Sequence, residues 1–117
     1  MSSRAAALLL ADGRFPAGGH AHSGGLEVAV ERGRVGDVDQ LRAFIRGRLA
    51  TAGAVDAGLA AATCDRVAHH GPTAPWANLV DEAEARQPSL AQRAAWRAQG
   101  RQLLRAGLAS WPGPVLA

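Results

Sequence analysis

The stretch LLADGRFPAGGHAHSGGLE, residues 9–27, decides the fold because it joins two helical segments through a shaped, non-repetitive turn. It holds five of the fourteen glycines, one of the six prolines and two of the four histidines. Glycine tolerates positive φ and lets another backbone approach closely, whereas Pro16 fixes one backbone angle. The composition therefore predicts a built turn between helices.

The far end of this stretch predicts the start of the second helix. Ser23 offers a side-chain oxygen that can accept a free backbone N–H as an N-cap, and Glu27 would lie near the positive helix end. We expect this helix over residues 23–32, with Gly33 as a left-handed C-cap. Before the turn, a first helix over Ser3–Ala11 is expected to be buried at the centre, because its three consecutive leucines are too apolar for a solvated segment.

Downstream of Gly33, every periodic segment is helical. Asp37 and Gln40 form a capping-box-like start, and apolar residues then recur at helical spacing: Leu41, Phe44, Ile45 and Leu49. Gly53 is expected to end or kink this helix, and further helices are expected over residues 55–68, from about residue 76, and over residues 89–110. Residues 69–75 are predicted to be a loop because Gly71 and two prolines stop a helix.

These segments predict an all-α fold, a compact bundle of about five to six mostly antiparallel helices in one domain over residues 1–117. The composition agrees, since 48% of residues are apolar while the chain has two Phe, three Trp and no Tyr. All thirteen basic residues are arginine, which removes Schiff-base and P-loop lysine chemistry. Cys64 is the single cysteine, which fits a reducing cytoplasm, and no apolar run approaches the roughly 18 residues of a membrane span.

The last predicted helix carries two stripes. One is apolar and contains two glycines that would let another helix come close, Trp96, Gly100, Leu103, Leu104, Gly107, Leu108 and Trp111. The other is basic and repeats every four residues, Arg93, Arg97, Arg101 and Arg105. Arginine is favoured in protein interfaces and pairs with carboxylates through two bonds, so this stripe predicts a face for an acidic protein partner.

The turn resembles that of the UreF family of urease accessory proteins. The matching residues are Leu10-Ala11-Asp12, Phe15-Pro16-Ala17-Gly18-Gly19, Ala21-His22-Ser23 and Gly25-Leu26-Glu27, in the order and spacing of that family. The chain departs from the family at His20, where an aromatic residue is usual. Family members are about twice as long, so the resemblance covers their N-terminal half and implies that this chain is one half of a longer protein.

The resemblance implies a function. UreF proteins are non-catalytic adaptors that join the UreD (also called UreH) scaffold and the UreG GTPase to help load nickel into apo-urease in the cytoplasm. It implies no firmly bound cofactor and a homodimer or hetero-assembly. A net charge of only +3 and the lack of a turn-helix signature predict no nucleic acid partner, and the short apolar runs predict no membrane partner. The residues that the resemblance assigns to a partner-binding or structural motif are Asp12, Phe15, Pro16, Gly18, Gly19, His22, Ser23, Gly25, Leu26 and Glu27.

Three other interpretations follow from individual residues. His20 and His22 are weak candidates for nickel or zinc ligands, but two imidazoles do not complete a site, and His69-His70 are expected to be solvated. Asp12, His22 and Ser23 have the residue types of a hydrolase triad, yet no nucleophile elbow is present. Apart from the resemblance, the chain fits equally a small basic helical regulator that binds nucleic acid or another protein, and this alternative stays open.

Overall fold

The computed structural model describes residues 2–87 and 89–113, with the backbone but not the side chains of His20 and Pro72. Within these residues the chain forms six α-helices and no β-strand, which confirms the all-α fold class. The helices are α1 (Ser3–Ala11), α2 (Leu26–Glu31), α3 (Val38–Arg48), α4 (Ala54–His70), α5 (Ala77–Ala85) and α6 (Leu90–Ser110). The chain divides into two compact units, one containing α1 and α6 and the other α2 to α5.

In the α1/α6 unit, both helices begin at serine caps. The Ser2 hydroxyl oxygen accepts the backbone N–H of Ala5, and the Ser89 hydroxyl oxygen accepts that of Gln92, each at 3.3 Å. These bonds satisfy N–H groups that have no partner inside the helix. The predicted bounds of α1 and α6 are therefore confirmed.

The expectation that α1 is buried is wrong. Leu8 is 74% exposed, and Leu9 and Leu10 are also exposed. Three consecutive residues point in three directions, about 100° apart around a helix. The single other helix of this unit, α6, does not cover them all.

The apolar stripe of α6 is covered in part. Gly107 is buried and Leu108 is half-buried, whereas Leu103 and Leu104 are 42% and 47% exposed. A Cβ atom added at Gly100 would meet no described atom within 4 Å. The predicted close approach of another helix at Gly100 is therefore wrong among the described residues.

In the α2–α5 unit, α2 begins at Leu26, three residues later than predicted, and its N-cap is Gly25. Gly33 adopts φ 67° after the last turn, as expected of a left-handed C-cap. The Asp37 carboxylate accepts the backbone N–H of Gln40 at 2.8 Å, while the Gln40 side chain accepts that of Gly36 at 2.7 Å. This reciprocal pair confirms the predicted start of α3.

A single π-helical turn, Leu49–Gly53, joins α3 to α4. The predicted interruption near Gly53 thus takes the form of a wider turn instead of a break. α4 then extends to His70, so the prediction of a loop from residue 69 is wrong for both histidines. The helix ends one residue before Gly71, whose φ of 61° is unfavourable for residues with a side chain.

Few apolar side chains are buried within the described residues, namely Phe15, Val35 and Ala74. Phe15 belongs to the α1/α6 unit, and the other two belong to the α2–α5 unit. Large apolar side chains are exposed in both units, for example Leu8 and Leu104 in the first and Ile45 in the second, so each unit leaves apolar helix faces uncovered. The Arg66 guanidinium donates a hydrogen bond to the Pro75 carbonyl and fastens the turn after α4.

Candidate functional site

The turn after α1 is fixed first by Asp12 and Arg14. The Asp12 carboxylate accepts the backbone N–H of Arg14 at 2.9 Å, Nε at 3.1 Å and Nη2 at 2.8 Å. The fork of the guanidinium therefore pairs with both carboxylate oxygens. The side-chain bonds from Arg14, followed by its backbone N–H, hold the pKa of Asp12 below its ordinary value, and Asp12 in turn raises the pKa of Arg14.

Phe15 anchors this turn on the end of α6. Its ring is buried and stacks on the Trp111 indole, with the ring centroids 5.9 Å apart and the planes 26° from parallel. Offset stacking of this kind adds to the free energy gained from burying the ring. The backbone N–H of Phe15 also donates to the Asp12 carbonyl at 2.9 Å, so the charged pair and the aromatic pair belong to one turn.

Gly18 continues the turn in a conformation that requires glycine. Its φ is 75°, and a Cβ atom there would lie 1.9 Å from Oε1 of Gln102 on α6. The backbone N–H of Ala21 donates to the Gly18 carbonyl at 3.1 Å and closes the short 3-10 turn Gly19–Ala21. Pro16 and Gly19 are exposed on this turn.

The second half of the motif belongs to the α2–α5 unit. Gly24 and Gly25 adopt φ of 63° and 95°, and the Ser23 hydroxyl oxygen accepts the backbone N–H of Glu27 at 3.3 Å. Ser23 therefore satisfies a free N–H of α2 as predicted, but from two residues before the N-cap. The two left-handed glycines delay the helix, because their φ values are incompatible with it.

Arg48, at the end of α3, fastens this second half. Its Nη1 donates a hydrogen bond to the Gly24 carbonyl at 2.7 Å, and its guanidinium carbon lies 3.0 Å from the place of a Cβ on Gly24. Sequence reasoning missed Arg48 because it lies 24 residues away and no local pattern marks it. Arg14, two residues from Asp12, could have been found from Asx-turn chemistry.

The motif residues form two clusters that hold separate turns. Asp12, Phe15 and Gly18 shape the turn against α6, whereas Ser23 and Gly25 shape the entry to α2. Leu26 and Glu27 begin α2, with Leu26 half-buried and Glu27 exposed.

A triad interpretation of these residues has no support from their bonds. The Asp12 carboxylate accepts hydrogen bonds from Arg14 and not from a histidine. The Ser23 hydroxyl oxygen accepts the backbone N–H of Glu27.

The histidines do not assemble a metal site in the part of the chain that the structure describes. His22 is exposed, and the side chain of His20 lies outside the described residues. Nδ1 of His69 lies 2.8 Å from the Asp65 carbonyl oxygen and 3.4 Å from its carboxylate, one turn earlier on α4. Among the described side chains, which do not include that of His20, no group of three His, Cys, Asp or Glu is placed to hold a metal ion.

The arginine stripe of α6 lies largely at the surface of the helix. Arg93 is half-buried, and Arg97, Arg101 and Arg105 are exposed. The sequence of α6 contains no aspartate or glutamate, so the helix carries four positive side chains and no negative one. No helix of the described ranges is both long and apolar enough to cross a membrane.

These features define a helical protein with two hydrogen-bonded turns, uncovered apolar helix faces and a basic stripe. The UreF family model matches residues 35–117. The chain belongs to the UreF family. Because this match begins after the turn, it is independent of the residues that carry the resemblance.

Full-length relatives support the same assignment. The chain is 49% identical over 114 residues to the urease accessory protein UreF of Mycolicibacterium vanbaalenii, covering 96% of this chain and 51% of that protein. It is 43% identical to UreF of Mycobacterium sp. strain JLS, with 97% and 51% covered, and 42% identical to UreF of Mycobacterium tuberculosis H37Rv, with 96% and 50% covered. The chain thus spans about half the length of these curated relatives. No solved structure matches it.

Proposed function

We propose that this chain acts as a non-catalytic adaptor in urease maturation. It joins a UreD/UreH-like scaffold and a UreG-like GTPase to apo-urease in the cytoplasm and supports nickel insertion into the urease active site. The observation that carries the proposal is membership of the UreF family, since the relatives named above are urease accessory proteins. The same membership favours this function over that of a nucleic-acid-binding regulator.

The geometry supports an adaptor because the chain offers two hydrogen-bonded turns and exposed helix faces that other proteins can contact. Hydrogen bonds from Arg14 and Arg48 fix the two halves of the glycine-rich motif, and few apolar side chains are buried in either unit. Exposed apolar faces on a soluble chain mark places where other proteins bind. The adaptor therefore works as a homodimer or within a hetero-assembly. The proposal includes no nucleic acid partner and no membrane partner.

In this proposal nickel is cargo of the complex and is not firmly bound by the chain. Two histidines near the turn offer imidazole nitrogens, but four ligands are usual for a structural metal site. The motif residues 12–27 contribute by setting the geometry of the turns that partners contact.

Co-expression tests the proposal. The tagged chain is produced with the UreD/UreH-like, UreG-like and urease subunits of a bacterium whose own UreF is deleted, with UreF of M. vanbaalenii as the positive control. We expect the tagged chain to co-purify with the accessory proteins at a defined stoichiometry. If the control assembles the complex and activates urease while this chain binds none of the subunits, the proposal is wrong.

A further inference from the structure

We propose that a strip on the last two turns of α6 binds an acidic amphipathic segment of a partner protein. This basic-apolar strip consists of Arg101, Leu104, Arg105 and Leu108. The inference rests on the proposed adaptor function, because an adaptor requires a surface for a partner. It names the chemistry of that partner.

The spacing of the four residues places them on one face. They stand at i, i+3, i+4 and i+7, which are neighbouring positions on a helix surface. Arg101, Leu104 and Arg105 are exposed and Leu108 is half-buried. Leu104 and Leu108 therefore form one row along the helix, and Arg101 and Arg105 form the neighbouring row.

Among the described residues, no acidic side chain pairs with the two arginines of the strip. Neither Arg101 nor Arg105 takes part in an ion pair with any residue of the described ranges. Like charges one helical turn apart repel each other, and α6 has no acidic residue to offset them. A partner that brings carboxylates to this face removes the repulsion while its apolar side chains cover Leu104.

Charge complementarity selects this occupant over the alternatives. A second copy docked through the same strip would bring guanidinium groups against guanidinium groups, which disfavours a homodimer at this face. A phosphate backbone would pair with the arginines but would leave Leu104, in the neighbouring row, without an apolar contact. A segment with glutamates beside leucines satisfies both parts of the strip at once.

The test uses the 117-residue chain and a labelled synthetic helical peptide of about six turns, with leucines on one face and glutamates at its flanks. Fluorescence anisotropy measures binding. The variant Arg101→Glu/Arg105→Glu is compared with Arg4→Glu/Arg34→Glu, which changes the net charge equally at exposed positions outside α6. We expect the first variant to weaken peptide binding by at least about tenfold and the second by less than about twofold.

A charge swap separates a docking role from a folding role. A peptide with lysines in place of the glutamates should bind the Arg101→Glu/Arg105→Glu variant more tightly than it binds the parent chain. Leu104→Gln should weaken binding of the acidic peptide without changing the helical circular dichroism spectrum. Restored binding in the swap cannot come from a misfolded variant.

Three outcomes overturn the inference. If the two double variants weaken peptide binding equally, the net charge of the chain and not the strip determines binding. Binding of a DNA duplex or of anionic phospholipid vesicles at α6 in place of the peptide would identify a phosphate ligand. Failure of the peptide to bind, with intact assembly and urease activation in co-expression, would reject the strip while leaving the adaptor function in place.

Discussion

Arg48 donates a hydrogen bond from Nη1 to the carbonyl oxygen of Gly24, 2.7 Å away and 24 residues earlier in the sequence. This bond connects the end of α3 to the left-handed turn that starts α2. It gives one half of the glycine-rich motif a fixed position within the α2–α5 unit. The other half is held by Phe15 on Trp111.

The first prediction concerns this bond. Arg48→Ala leaves the Gly24 carbonyl to water and should lower the free energy of unfolding by about 0.5–1 kcal/mol, the range of an exposed hydrogen bond. Arg46→Ala, an exposed arginine two residues earlier, is the matched control and should change the free energy by less than about 0.5 kcal/mol. Urea denaturation followed by circular dichroism measures both. Equal effects would mean that the bond to Gly24 contributes nothing specific.

The second prediction concerns the aromatic anchor. Phe15→Ala removes a buried ring and should lower the free energy of unfolding by about 3 kcal/mol, the lower end of the range for a core phenylalanine. A double-mutant cycle with Trp111→Ala should give a coupling free energy of about 0.5–1.5 kcal/mol. Purely additive effects in the cycle would show that the two rings do not stabilise each other.

The third prediction concerns pH. Because Arg14 holds the pKa of Asp12 below its ordinary value of 3.8 in the folded state, the folded state binds this proton less readily than the unfolded state. The contribution of the Asp12–Arg14 pair to the free energy of unfolding is complete above pH 3.8. It is lost as the pH falls through the lower pKa of Asp12 in the folded state. Arg14→Gln should raise the pKa of Asp12 towards 3.8 in an NMR titration, whereas Arg4→Gln should leave it in place. If the pKa of Asp12 is unchanged in Arg14→Gln, the Arg14 side chain is not the cause of its lowered value.

The fourth prediction concerns nickel. The isolated chain should bind nickel no more tightly than exposed histidines do in general, and His20→Ala and His22→Ala should change little. Isothermal titration calorimetry measures this, with His69→Ala as a comparison on α4. Tight stoichiometric binding that His22→Ala abolishes would instead make the turn a nickel-binding site.

The fifth prediction concerns self-association. Leu8 is 74% exposed beside two further exposed leucines, and such a patch favours contact with another apolar surface. Leu8→Arg should weaken association in analytical ultracentrifugation, because it places a charge in a contact that excludes water. Ala61→Arg adds the same charge at an exposed position on α4 and should leave association unchanged. A monomer across micromolar concentrations in the parent chain would contradict this prediction.

The sequence by itself determined the helices and most of their ends. Local chemistry sets these features, since Ser89, Asp37 and Gly33 act on backbone groups within four residues of themselves. The sequence also identified the glycine turn and the family, because that motif is local as well. The prediction of a loop was wrong for His69 and His70, because the glycine that ends α4 acts as its C-cap at Gly71 and the helix continues up to His70.

Only the tertiary structure decided what holds the turn and what stays exposed. The contacts of Gly24 with Arg48 and of Phe15 with Trp111 join residues far apart in sequence, and no periodicity encodes such pairs. The three leucines of α1 and the apolar stripe of α6 were visible in the sequence, but their exposure was not. A pattern of leucines specifies that a face prefers to be covered, whereas the arrangement of the other helices determines whether anything in the chain covers it.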